Sequence, residues 1–560
     1  MPEQQNQQQE QEQDGAPETY EYIVVGAGTA GCVLARRLSE DRTHRVLLLE
    51  AGRPVPAEPD PVPAPAAWPS LLGTAADWGD TTVPQNTGGA PIPWPRGRGL
   101  GGSSAIGGMT FLRGHRSGCD AWPEGGAKGW GYDDLLPYFK RSENVTGVRR
   151  RDPASRGTDG PLRVAPAARR HRHPLAQAFL AAAVQAGHPR ACDLAAGLET
   201  GFGWADLAIA DGARQDAAGA YLRPVLGERT NMRVITDAFV QRLLLDETGT
   251  SPRCTGVAYT VADGTPPEDT PAEDTSAEDS PQHAAPSRTA RCSPGGEVVL
   301  TAGAVGSPRL LMSSGLGPRE HLEDIGITAH LDLPGVGGNL QDHVVSGVVY
   351  RSARPVPESE NNHAEVQGLI RSDPHATTCT APDLQLGIAD LPVRAGGLPG
   401  PGPGAGYTIV VALLSPYSRG TVRLADADPA TPPSIDPCYY ADHHDLDLMT
   451  AGLRAAREIG MAPALTLWRG EEELPGRDIA DDEELRAYLR RNLHSAHDYA
   501  GTCAIGTDTD AGAVVDTELR VRGVEGLRVA DASVMPTIVS ANAEATVYAI
   551  AERASDLLTH

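Results

Sequence analysis

No stretch of this chain is apolar for long enough to span a bilayer, and its first eighteen residues, MPEQQNQQQEQEQDGAPE, are Gln-rich and acidic without an apolar centre. Neither a transmembrane segment nor a signal peptide is read there, which predicts a cytoplasmic protein with a disordered tail over residues 1–19. Lysine is nearly missing: Lys128 and Lys140 stand alone, and arginine carries the positive charge. With 48 basic against 73 acidic residues the net charge is −25, which argues against nucleic acid and anionic membrane as partners. The eight cysteines, Cys32, Cys119, Cys192, Cys254, Cys292, Cys379, Cys438 and Cys503, never form a C-x-x-C pair. Neither a zinc site nor a disulfide framework is indicated.

What the chain does have is a complete βαβ unit over Tyr22 to Gly52, YIVVGAGTAGCVLARRLSEDRTHRVLLLEAG. An apolar strand, Ile23 to Val25, runs straight into Gly26-x-Gly28-x-x-Gly31; Val33, Leu34 and Leu38 recur at helical spacing; a second apolar run, Val46 to Leu49, ends at Glu50. Gly26 permits the tight turn, Gly28 lets the main chain approach a pyrophosphate, and Gly31 lets helix and strand pack closely. The phosphates of a dinucleotide then sit on unpaired N–H groups at the helix N-terminus, and Glu50 accepts from the adenosine ribose hydroxyls. The unit alone does not separate NAD from FAD.

At 560 residues two domains are expected, interleaved or in series. Arg53 to Pro95 reads as an extended connection carrying Trp68, Trp78 and Trp94. A second glycine-rich run, Gly97 to Met109, is interleaved with Leu100, Ile106 and Met109, which suits a backbone lying against a ligand better than a linker. Residues 261–290 repeat Glu-Asp pairs among Pro, Thr, Ser and Ala, a composition unable to fold by itself; without them the net charge is still −19. Asn361 to Val366 and Gly396 to Gly406 have compositions suited to loops over a pocket entrance. Asp442-His443-His444 reads as a turn and no metal site is assigned.

The segment Gly97 to Asp120 resembles the first signature of the glucose-methanol-choline (GMC) flavin oxidoreductases, and Gly303 to Gly317 (GAVGSPRLLMSSGLG) the second. Asp120–Glu143, Gly219–Pro224, Gly335–His343 (GVGGNLQDH), Ser418–Leu424 and Gly501–Asp556 are similar to further family segments in the same order. The resemblance implies an α/β, overall α+β, fold: a Rossmann-like FAD-binding domain (20–160, 200–324 and 494–560) interleaved with a substrate domain (161–199 and 325–493) built on a mostly antiparallel sheet covered by helices. It implies FAD, with contacts from Gly26, Gly28, Thr29, Ala30, Glu50, Ala51, Arg98, Gly102, Ser103 and Met109. Val240 would meet the adenine; Asp531, Ala532, Asn542 and Ala543 would form the C-terminal part; Gly31, Trp78, Gly107, Gly108 and Ala302 complete the set. Where the family carries Asn or His, Gly107 has no side chain, so the FAD is expected to be non-covalent.

The activity so implied is oxidation of an alcohol to an aldehyde or ketone: a base takes the hydroxyl proton while hydride leaves carbon for flavin N5. O2 or another electron acceptor completes the cycle, and the substrate is a small-molecule alcohol, expected to be sugar-like or an amino-sugar of a biosynthetic route. The family's histidine before Gly-Thr-Cys is absent: Asp498 occupies its position before Gly501-Thr502-Cys503, His497 precedes it, and Asn542 is kept. Either Asp498 is the base, its pKa lifted by an apolar pocket, or His497 reaches the flavin with Asp498 orienting its ring. A lone anion there would oppose charge on the reduced flavin. A non-redox flavin-dependent lyase or decarboxylase on the same fold is the alternative, and a non-enzymatic FAD-binding protein the second rival.

Overall fold

The computed structural model describes residues 18–53, 64–85, 90–261, 287–373 and 381–560. The expected tail and acidic insertion fall largely outside these ranges, but their edges do not. Thr19 opens β1 (Thr19–Val25), and the ladder Gly256–Thr260 against Ser287–Arg291 puts residues 287–290 in a strand. Pairing with a neighbour carries strand structure further than composition suggests.

The βαβ unit forms as read. β1 leads into α1 (Thr29–Leu38) and then β2 (Val46–Leu49), with β1 and β2 parallel and Val25 opposite Leu49. All four β2 residues are buried, as a strand covered on both faces requires. In this seven-stranded sheet the order is Met232–Ile235, β2, β1, Ser287–Leu300, Arg253–Val261, Ala238–Asp246, with Leu527–Val529 also pairing with Ser287–Leu300. The stretch from Met232 to Asp246 is two strands, broken where Asp237 takes a positive φ of 54°. The first half extends the parallel side beside β2, and the second turns into the antiparallel side.

A second seven-stranded sheet is antiparallel: Arg469–Leu474, Val344–Ser352, Gly406–Leu413, Leu384–Ala389, Val366–Ile370, Gly201–Trp204, with His494–Ser495 on the start of Val344–Ser352. Gly201–Trp204 and His494–Ser495 thus belong to this sheet, and the domain borders expected at 200 and 494 are crossed by strand pairing. The helices Pro174–Gln185 and His443–Met461 cover one face, where Leu384, Leu386, Ile409, Val411 and Leu413 pack with Met449, Leu453 and Ile459. The alternate positions Gln385, Gly387, Ala389, Val410 and Ala412 face a cavity on the other side. His173 is buried and caps Pro174–Gln185 by accepting from the Leu175 N–H; Asp442 likewise caps His443–Met461. Among the described residues no helix is long and apolar enough to cross a membrane.

Candidate active site

A cavity of about 860 Å³ runs from the first glycine turn to the antiparallel sheet. Every residue expected at the site borders it except Gly31, which stands behind it: a Cβ on Gly31 would lie 1.8 Å from the Gly26 carbonyl oxygen. The two glycine loops meet main chain to main chain. Gly102 takes a φ of +53°, and a Cβ there would lie 2.6 Å from the Gly28 Cα. Thr29 and Ala30, with N–H groups in the open first turn of α1, border the cavity beside Ser103. This arrangement of bare backbone and free donors fits the diphosphate of FAD.

Glu50 is buried and already engaged. Its Oε2 accepts from Ala27 N–H (2.8 Å), and its Oε1 accepts from Gly52 (2.8 Å) and Gly99 (3.0 Å). Burial raises its pKa against those three bonds. A carboxylate offers about four acceptor directions, so room for a ribose hydroxyl remains at Oε2. Ala51, Trp78, Arg98 and Val240, expected near the adenosine, border the cavity. Asp531 holds the far wall: Oδ2 accepts from Gly303 N–H (2.8 Å) and Ser307 Oγ (2.6 Å), Oδ1 from Ser533 N–H (2.8 Å) and Oγ (2.6 Å), beside Ala302 and Ala532. With its acceptor sites filled, Asp531 anchors the wall.

Gly107, Gly108 and Met109, the last at φ 58°, form the middle of the cavity. Arg214 donates to the carbonyls of Ser104 (3.0 Å) and Gly107 (2.6 Å), and Asn362 Nδ2 donates to Gly108 O (2.8 Å) and Thr110 Oγ1 (3.0 Å). Trp68 lies against Gly108 and donates to Asn362 O (3.2 Å). Of the two stretches expected as entrance loops, only the first borders the cavity, through Asn362, His363 and Ala364; residues 396–406 do not.

At the sheet end the pairing Val344↔Ser495 and Val345↔His494 sets His343 beside Ala496, His497 and Asp498. Asp498 Oδ2 lies 3.0 Å from His343 Nδ1 and accepts from Asn542 Nδ2 (3.4 Å), while Oδ1 accepts from Ala543 N–H (3.0 Å). His343 Nε2 is 3.0 Å from the Val539 carbonyl, so it must donate there. One further proton must then lie between Nδ1 and Asp498, and the two side chains together are neutral whichever of them holds it. The lone anion expected at this position is therefore not formed. Nor does Asp498 orient His497: its partner is His343. Although that histidine closes GVGGNLQDH, nothing in one-dimensional spacing places position 343 beside position 498.

His497 borders the cavity with φ 66°. Its backbone N–H donates to Ser495 Oγ (2.7 Å), and its ring has no hydrogen bond among the described residues. Burial lowers its pKa, opposed by Asp498 and Asp77, so the ring is neutral at neutral pH. Beyond it lies a chain of amides: Gln367 Nε2 donates to Ala364 O (3.0 Å), and Gln385 Nε2 to Gln367 Oε1 (3.1 Å) and Asn542 Oδ1 (3.4 Å). Glu544, in the first turn of Glu544–Thr559, also borders the cavity, and burial pushes its pKa up to about 7.

The family model described as GMC oxidoreductase matches this chain over residues 20–345 in its N-terminal part and 416–551 in its C-terminal part. The mitochondrial choline dehydrogenase of Homo sapiens is 37% identical over 96% of this chain and 89% of its own. Pyridoxine 4-oxidase of Microbacterium luteolum is 34% identical over 95% and 98%. Among solved structures, pyridoxine 4-oxidase from Mesorbium loti superposes with a TM-score of 0.85 at 34% identity, covering 96% of this chain and 98% of that one.

Proposed function

The chain belongs to the GMC oxidoreductases, FAD-dependent alcohol oxidoreductases, and from that premise we propose that it oxidises a neutral, sugar-like alcohol with His497 as the base. Bound FAD supplies the two-electron acceptor for the hydrogen leaving the alcohol carbon. His497 takes the hydroxyl proton on a ring nitrogen. Asn542 and the His343–Asp498 pair hold the hydroxyl and the N-terminus of Glu544–Thr559 in place. Because Gly107 has no side chain to join the cofactor, FAD is held without a covalent bond.

The observation that carries this reading is the contrast between the neighbours 497 and 498: the Asp498 carboxylate is engaged by three partners, whereas the His497 ring faces the cavity unengaged. The lining supports the substrate class proposed. Asn362, Gln367, Gln385 and Asn542 are neutral donor-acceptor groups suited to hydroxyls. A quaternary ammonium would call for an aromatic cage or an uncompensated carboxylate; Asp498 is compensated by His343, and burial holds the Glu544 carboxyl up at about 7.

Anaerobic titration of the flavin absorbance with polyols, pyridoxine and choline tests the proposal. Polyols should bleach the band with the highest kcat/KM; a preference for choline would overturn the substrate class. His497→Ala should lose about a hundredfold or more in kcat/KM with the flavin retained, and unchanged turnover would remove His497 as base.

A further inference from the structure

Near the adenosine end, the helix Gly303–Ser313 turns Arg309 toward the cavity beside Phe239 and Val240. The guanidinium carbon lies 4.5 Å from the Phe239 ring centroid, and the side chain has neither a hydrogen bond nor an ion pair among the described residues. The acid whose field reaches it, Asp80, is taken by Arg96, whose Nε donates at 2.7 Å. Burial and the repulsion of Arg96 push the pKa of Arg309 down to about 10, so the group is still charged at neutral pH. Arg98, exposed on the same cavity, rests on Trp78 at 4.9 Å and on the Ala51 carbonyl at 3.5 Å, and the charge of Glu50 reaches it.

A cation withdrawn from water without a counter-charge is costly. One such guanidinium, with the exposed Arg98 also bordering the cavity, lines the space where an adenosine diphosphate would bring both negative charge and a planar ring. Arginine, unlike lysine, offers a flat face that stacks on aromatic systems. We propose that Arg309, backed by Phe239, forms a subsite that recognises the adenosine diphosphate half of FAD by charge and stacking. The proposal rests on the cofactor reading above and assigns Arg309 a positioning role distant from the reacting atoms.

FAD-depleted full-length protein is titrated with FAD, followed by quenching of flavin fluorescence, and with ADP by calorimetry. Arg309→Leu should weaken both ligands by the same factor, about tenfold, and Arg309→Gln, which keeps length and polarity, should do the same if the leucine variant does not fold. Added salt should narrow the gap between wild type and variant. Unchanged affinities, or a loss for FAD without one for ADP, would overturn the proposal. Failure of the wild-type protein to take up FAD would instead bring down the cofactor reading.

Discussion

At the glycine end the cavity wall is main chain; at the sheet end it is side chain. The glycine end comes from two local runs, Gly26–Gly31 and Gly97–Met109, whose work is to keep Cβ atoms away from a ligand and from each other. The sheet end draws His343, Asn362, Gln367, Gln385, His497, Asp498 and Asn542 from five separate segments, joined by strand pairing and hydrogen bonds. Backbone sites are built from what residues omit, and side-chain sites from what distant residues add. The first kind tolerates almost no substitution, whereas the second degrades by steps.

The largest expected effect strikes the first kind. Gly31→Ala places a methyl 1.8 Å from the Gly26 carbonyl oxygen, closer than any packing adjustment accommodates. The purified variant should be colourless or unfolded, read by the ratio of flavin to protein absorbance; a yellow, active variant would break the comparison at its stronger side.

Next comes Asp498→Asn. The amide can keep the Ala543 N–H bond but cannot share the proton with His343. Flavin should be retained and kcat/KM should fall by roughly ten- to a hundredfold, less than in His497→Ala. A larger loss than in the His497 variant would make Asp498 the base. Because burial holds the His497 pKa below its ordinary value, the acid limb of the wild-type rate should be centred below the ordinary imidazole pKa of about 6.5. A limb centred above pH 7 would exclude His497.

The smallest effect is on stability. Burial and the adjacent His497 push His494 down to about 4, so the unfolded chain takes up that proton first. Its contribution is present above the unfolded pKa near 6.5 and is lost as pH falls toward 4, about 3 kcal/mol in all. The stability difference between wild type and His494→Asn, from denaturant melts at pH 7 and pH 4.5, should therefore shrink with acid; a pH-independent difference would show that His494 is not held neutral.

Much of this was legible in one dimension. The βαβ unit and both glycine runs were readable because neighbours in sequence are neighbours in space there. The break at Asp237 was not legible, since each half of that apolar run could have continued the other; the sheet divides them because one half pairs with β2 and the other with Arg253–Val261. The partner of Asp498 was hidden for a related reason. Spacing pointed to the adjacent His497, but the chain leaves the strand after Ser495 and turns through a positive φ at His497, and the Asp498 carboxylate meets His343 instead.

The residue order by itself determined the nucleotide-binding turn, its acid at Glu50, the second glycine loop and the absence of an attachment side chain at Gly107, since each depends on local backbone geometry and on a missing Cβ. Only the tertiary structure decided that His343 shares a proton with Asp498, that the His497 ring is left unengaged, and that Arg309 stands without a counter-charge. Each of these is a balance of charge or hydrogen bonds across chain separations of a hundred residues or more, or the absence of such a partner, and only the packing of the two sheets around one cavity closes that balance.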